Sequence, residues 1–163
     1  MQDYADINDG HRYILTVIDV FSKFAWAIPI KNKGAKTILE AFKQLFEQSA
    51  PRLPERLQTD KGTEFLNKQV QELFKSKGIH HFSTESDLKA AIVERFNRTL
   101  KTKIKKYFTA KQTNRYVEKL DDFVNAYNNT LHRSIKMAPA NVTKADETNI
   151  WYAKFDYKSI TKL

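Results

Sequence analysis

The chain has 163 residues, 41% hydrophobic and 12% aromatic, which is enough for one domain with a buried core. It contains no Cys, which excludes disulfides, thiolate chemistry and Cys-ligated zinc within these residues. The 28 Lys and Arg against 19 Asp and Glu leave a formal net charge of +9, which favours an anionic partner such as nucleic acid. No apolar run approaches the roughly 20 residues of a membrane span and no signal peptide opens the chain, so we expect a soluble protein with no membrane partner.

The first predicted elements are two short runs of aromatic and β-branched residues, at 13–19 and 24–30, which are typical of a β-hairpin. Apolar spacing and Pro or Gly punctuation then predict, in order, a helix at 35–46, a strand at 56–59, a helix around 70–74, a strand at 79–83, helices at 90–108 and 116–131, and a short helix from Pro139. A hairpin followed by alternating strands and helices predicts an α/β fold with a mixed sheet and helices on both of its faces.

A basic segment lies in the long helix predicted at 90–108. Between Arg95 and Lys106 the sequence has no acidic residue and six bases, namely Arg95, Arg98, Lys101, Lys103, Lys105 and Lys106. An isolated run of this kind is as often a solvated surface as a binding face, so other features must decide between these interpretations.

Two carboxylates have positions suited to a metal site. Asp60 follows a predicted strand just before Gly62, and Glu94 lies early in the long helix. Hard cations such as Mg²⁺ take oxygen ligands of this kind, and two such ions can support phosphoryl transfer. Taken singly, Asp60 is more often a turn or cap residue, and Glu94 is more often paired in a salt bridge with Arg98.

Four ordered segments together resemble one family: GHRYILTVIDVFSKFAWAIPIK, LQTDKGTEF around Asp60, KAAIVERFNRTLK around Glu94, and YNNTLHRSIKMAPANV. They are similar to the catalytic core of retroviral-type integrases, most closely those of Maverick/Polinton-type DNA transposons. The resemblance extends from Gly10 to about Val142. It implies a ribonuclease H-like fold, with an integrase catalytic core over residues 1–145 and a C-terminal tail or the start of a linker over 146–163.

The resemblance also implies an Asp, Asp, Glu triad in which Asp60 is the second member and Glu94 the third, holding Mg²⁺ or Mn²⁺ as two ions in the complete site. In similar integrases the helix that carries the Glu lies against DNA. The basic segment is therefore interpreted as functional, and the predicted DNA-binding residues are Lys61, Lys89, Asn97, Arg98, Lys101 and Lys105.

The first Asp of the triad is the main departure from the family pattern. Its expected position falls just before Met1, so the first strand is predicted to be truncated. Asp3, Asp6 and Asp9 lie in a polar, turn-like stretch closer to the hairpin than the pattern requires. Asp3 is the alternative candidate for the first member of the triad. A chain with only two of three ligands is expected to bind Mg²⁺ weakly and to be nearly inactive.

The predicted function is DNA integration, in which transposon ends are trimmed and the freed 3′-hydroxyl attacks target DNA. One alternative is a catalytically inactive transposon-derived domain retained for DNA binding or self-association. Another is an RNA-cleaving hydrolase on the same fold, which the motifs favour less because they resemble integrases. A homodimer or higher multimer is expected by resemblance, and nuclear localisation is inferred from the substrate.

Overall fold

The computed structural model describes residues 2–50, 52–83 and 87–154. In chain order its strands and helices are β1 (Tyr13–Ile18), β2 (Ala25–Ile30), α1 (Ala35–Ser49), β3 (Arg56–Thr59), α2 (Lys68–Ser76), β4 (His80–Ser83), α3 (Asp87–Lys111), α4 (Leu120–Asn128) and α5 (Glu147–Lys154). Short 3₁₀ helices precede β1 and α4, and two more lie between α4 and α5.

The strands form two pairs with different directions. β1 and β2 are antiparallel, with Tyr13 opposite Ile30 and Ile18 opposite Ala25, which confirms the predicted hairpin. β3 and β4 are parallel, with Arg56 opposite His80. Within the described ranges the two pairs share no hydrogen-bonded ladder, so the mixed strand directions are present in two pairs and not in one continuous sheet.

One apolar cluster holds both strand pairs against the same helices. α1 buries Phe42 and Phe46, and the ring of Phe42 meets that of Phe74 from α2 edge-on at 4.9 Å. The cluster also contains apolar residues from all four strands or their ends, namely Leu15, Ile28, Ile30, Leu57 and Ile79. Both strand pairs therefore pack against the apolar cluster formed by α1 and α2.

The opposite face of the hairpin carries a second apolar cluster. Ala25 and Ala27 of β2 pack there against α3 and α4, whose buried residues include Phe96, Leu100, Ile104, Leu120 and Val124. Successive residues of a strand point to opposite faces, so the hairpin alternates between the two clusters. This arrangement confirms the prediction of helices on both faces of the sheet layer.

Two buried asparagines join distant parts of the chain. The Asn128 side chain donates to the Ala25 carbonyl and accepts from the Ala25 amide, both at 2.9 Å. The Asn8 oxygen accepts from the amide of Tyr116 at 2.7 Å, and its nitrogen donates to the carbonyl of Asn114 at 3.0 Å. These bonds join the start of the chain to the segment before α4, and the first residue of β2 to the end of α4.

The helix predicted at 116–131 is wrong in its bounds. A 3₁₀ turn occupies Val117–Lys119, and α4 extends only from Leu120 to Asn128. The Tyr116 amide is held by Asn8, and the Asn128 side chain by Ala25, so tertiary bonds fix both ends. α5 forms within the predicted tail and buries Ile150, while residues 155–163 lie outside the described ranges.

None of the helices within the described ranges combines the length and apolar character needed to cross a membrane.

Candidate active site

Asp60 lies directly after β3 and begins a tight loop. Its Oδ1 accepts a hydrogen bond from the Gly62 amide at 3.1 Å, so the turn interpretation of this residue is present in the structure. The residue is nevertheless exposed. An Asx turn of this kind fixes the carboxylate at the end of the strand while keeping it accessible to a ligand.

Glu64 places a second carboxylate beside Asp60, and sequence analysis did not select it. A Cβ atom on Gly62 would lie 2.6 Å from Glu64 Oε2 and 3.0 Å from Asp60 Oδ1, so both carboxylates converge over the glycine. Lys33 pairs with Glu64 at 3.3 Å and offsets part of this negative charge. Glu64 could have been selected from the sequence Asp60-Lys61-Gly62-Thr63-Glu64, in which a glycine lies between two acidic residues.

Glu94 is exposed on α3. It forms no ion pair with Arg98 within the described part of the chain, so the salt-bridge alternative is not realised there. One turn further on, the side-chain oxygen of Asn97 is buried and has no hydrogen-bond partner among the described residues. Leaving a buried amide oxygen without a partner costs about 1–3 kcal/mol.

The predicted basic residues of α3 form one exposed face. Arg98, Lys101 and Lys105 are exposed, and they follow Glu94 at i+4, i+7 and i+11, which places all four on one side of the helix over about 16 Å. We call Arg98, Lys101 and Lys105 the basic face. A shallow groove of about 400 Å³ continues it, lined by Thr102, Lys105, Lys106, Thr109 and Ala110.

The remaining predicted residues contribute less to the described geometry. Lys61 is exposed immediately after Asp60, whereas the side chain of Lys89 lies outside the described part of the structure. Across residues 2–50, 52–83 and 87–154, no three His, Cys, Asp or Glu side chains come together as a metal-binding group. The described chain therefore provides two predicted ligands on separate elements, and not a complete three-residue cluster.

A hydrogen-bond network centred on His81 adjoins the Asp60 loop, and sequence analysis did not select it. His81 Nε2 lies 2.9 Å from the Thr59 hydroxyl, which donates to the Asp60 carbonyl at 2.7 Å. On the other side of the ring, Nδ1 lies 2.8 Å from the Gln71 amide nitrogen, which also donates to the Phe65 carbonyl at 2.8 Å. Burial, with a smaller effect from His80, lowers the pKa of His81 below its usual range.

Comparison with known families gives a match over the first half of the chain. Residues 3–86 match the family described as Integrase core domain. The chain is 38% identical over 146 residues to a putative uncharacterized transposon-derived protein of Caenorhabditis elegans, covering 90% of this chain and 51% of that protein. It is 38% identical over 112 residues to the Gag-Pol polyprotein of Walleye dermal sarcoma virus, covering 66% of this chain and 6% of the polyprotein. The chain thus spans about half of the first relative and a small part of the second.

Solved structures show the same fold. The HTLV-2 integrase catalytic core domain in complex with magnesium, in a trimeric form, superposes with a TM-score of 0.69 at 20% identity, covering 79% of this chain and 82% of that chain. The dimeric form of the same domain gives a TM-score of 0.67 at 21% identity over the same shares of the two chains. The α/β, ribonuclease H-like architecture predicted from the sequence is confirmed by this likeness.

The lowered pKa of His81 predicts a pH-dependent contribution to stability. Because the pKa of His81 is lowered by folding, the unfolded chain, in which a His pKa is about 6.5, binds the proton more readily than the folded chain. The free energy of unfolding that His81 contributes is therefore fully present above that unfolded-state pKa and lost as the pH falls through the lowered pKa. Urea unfolding of the wild-type chain and of His81→Gln should differ more at about pH 7.5 than at about pH 5. A difference that does not change with pH would contradict this.

Proposed function

The chain belongs to the integrase core domain family, and on that premise we propose that it is the catalytic core of a polynucleotidyl transferase that joins transposon DNA ends to target DNA. The observation that carries the proposal is the shared face of α3, where the exposed Glu94 is followed by Arg98, Lys101 and Lys105. A carboxylate beside three cations is the arrangement expected where a backbone phosphate approaches a metal ligand. From the sequence motifs, we further propose DNA ends of the Maverick/Polinton type.

The donor set fits a hard divalent cation. Asp60 and Glu94 offer exposed carboxylate oxygens, and Asn97 offers a buried amide oxygen without a partner among the described residues. We propose that Asp60 and Glu94 hold Mg²⁺ or Mn²⁺, and the magnesium named with the HTLV-2 core supports this choice. When bound, the metal would supply charge neutralisation at the phosphodiester and activation of the attacking oxygen.

The third ligand is proposed to come from a segment outside the described residues. β1 pairs only with β2 and β3 only with β4 among the described strands, while the α1 cluster keeps both pairs in one layer. A further strand in this layer would complete the sheet and bring a carboxylate near Asp60.

The three acidic residues before β1 do not fill this role in the structure. Asp3 and Asp6 lie in 3₁₀ helices, and Asp9 is bound by Arg115 at 3.1 and 3.0 Å. None of them joins a group of metal-ligating side chains within the described ranges. This supports an incomplete site among the described residues and disfavours Asp3 as a substitute for the first triad member.

The basic face has the role of positioning DNA. Arg98, Lys101 and Lys105 would neutralise successive phosphates and align the duplex along α3 towards Glu94 and Asp60. Contacts to phosphate fix position and orientation but do not read bases, so this face predicts little sequence preference. The dimeric and trimeric forms named for the HTLV-2 core support a homodimer or higher multimer. Nuclear localisation is proposed from the expected DNA substrate alone.

The second candidate is a catalytically inactive, transposon-derived DNA-binding or self-association domain. The observation that favours it is the lack of a three-residue ligand cluster in the described part of the chain. The basic face would serve both candidates equally, so only a catalytic measurement separates them.

Strand transfer distinguishes the two candidates. With Mg²⁺ or Mn²⁺ and a labelled duplex, a chain extended at its N-terminus to include the family's first Asp should join DNA ends, whereas the present chain should be inactive or nearly so. Asp60→Asn and Glu94→Gln should each lower the rate of the extended chain by about a thousandfold or more, because each removes a charged ligand. Equal activity in the present chain would contradict the missing ligand, and inactivity of both chains with intact DNA binding would favour the second candidate.

The basic face predicts a salt-dependent loss of DNA affinity. Lys101→Gln combined with Lys105→Gln should weaken duplex binding by about tenfold and reduce the slope of log K against log salt by about 2, because each phosphate contact contributes about 0.9. The matched control is Lys36→Gln with Lys43→Gln, which removes two exposed lysines from α1 on the other side of the sheet layer. Equal losses of affinity in the two double variants would show that net charge alone accounts for binding.

A further inference from the structure

The loop that carries Asp60 is held at both ends by one set of side chains. Thr59 donates to the carbonyl of Asp60, where the loop begins, and Gln71 donates to the carbonyl of Phe65, where it ends. The ring of His81 lies between Thr59 and Gln71 and contacts both. We call these three side chains the His81 network.

The direction of every hydrogen bond in the His81 network follows from its acceptors. The Phe65 carbonyl can only accept, so the atom of Gln71 that faces it must be the amide nitrogen. That same nitrogen faces His81 Nδ1, which must therefore accept and carry no proton. The neutral ring then carries its proton on Nε2 and donates to Thr59, which in turn donates to Asp60.

We infer that His81, in the tautomer with its proton on Nε2, is a positioning residue that fixes the Asp60 loop. The inference rests on the proposed role of Asp60 as a metal ligand. His81 acts through Thr59 and Gln71 and does not itself touch the bound metal or DNA. Its ring supplies a donor at one end and an acceptor at the other, and this pairing sets the orientation of both neighbouring side chains.

Packing alone does not require a histidine at this position. The ring of His81 lies 5.2 Å from that of Phe74, a contact that a phenylalanine would also make. The β3 and β4 backbones are already joined by their parallel ladder, with Leu57 opposite His81. The ring nitrogens of His81 contact the two side chains that hold the loop carbonyls, so their loss should affect the loop more than the strands.

The tautomer can be measured in the unmodified chain without metal or DNA. The imidazole nitrogen spectrum of His81 at neutral pH should show an unprotonated Nδ1 and a protonated Nε2. A proton on Nδ1, or equal populations of the two tautomers, would overturn the inference whatever the activity of the protein.

Two variants separate positioning from packing. His81→Phe keeps the ring contact with Phe74 and removes both hydrogen bonds, whereas His81→Gln keeps one donor and one acceptor. Hydrogen exchange at the Phe65 and Leu66 amides, which bond within the loop to Gly62 and Thr63, should accelerate about tenfold in His81→Phe and be largely restored in His81→Gln. Exchange in the β1 and β2 hairpin, which is remote from the network, should be unchanged in both.

Thr59→Val provides an independent route if His81→Phe fails to fold, since it removes only the hydroxyl and should produce the same loop acceleration. Unchanged loop exchange in a folded His81→Phe or Thr59→Val variant would overturn the inference. The proposed function can fail separately: loop exchange that responds as expected, in an extended chain without strand transfer, would remove the catalytic role and leave the positioning of the loop intact. In an active extended chain, His81→Phe should lower the rate and His81→Gln should recover most of it.

Discussion

The packing of α1 across both strand pairs is the contact on which the remaining architecture depends. The two pairs share no ladder in the described chain, yet Leu15 and Ile28 from one and Leu57 from the other belong to one apolar cluster with Phe42 and Phe46 of α1. Each fully buried Phe contributes about 1.5–3 kcal/mol through removal of its surface from water. This apolar contact places the end of β3, and therefore Asp60, in a fixed position relative to the hairpin.

The second cluster places the other half of the candidate site. α3 buries Phe96 and Leu100 against the small side chains Ala25 and Ala27, so this long helix lies close to the hairpin. With its apolar side fixed inward, the helix must present Glu94 and the basic face outward. The candidate site thus combines the end of β3, which the first apolar cluster holds, with a face of α3, which the second cluster holds. The apolar clusters on the two sides of the hairpin therefore determine where its residues lie.

Short-range residue spacing predicted most of the strands and helices. It failed where hydrogen bonds from side chains distant in sequence determine the end of an element. The hairpin, β3 and the long helix follow from short-range apolar spacing, as do Asp60 at a strand end and the basic face. The ends of α4 depend on Asn8 and Asn128, whose partners lie more than 100 residues away in sequence. The His81 network could not be predicted either, because its side chains come from two strands and a helix and share no sequence spacing.

We propose above that Asp60 and Glu94 contribute to the same divalent-cation site. The most direct measurement is a titration of the isotopically labelled chain with Mn²⁺, followed by paramagnetic broadening of backbone amides. The signals of Gly62 and Arg95 should broaden over the same range of Mn²⁺ concentration, and Asp60→Asn should weaken the broadening at both. Broadening in one segment alone, or broadening at Arg95 that is undiminished in Asp60→Asn, would contradict a shared site.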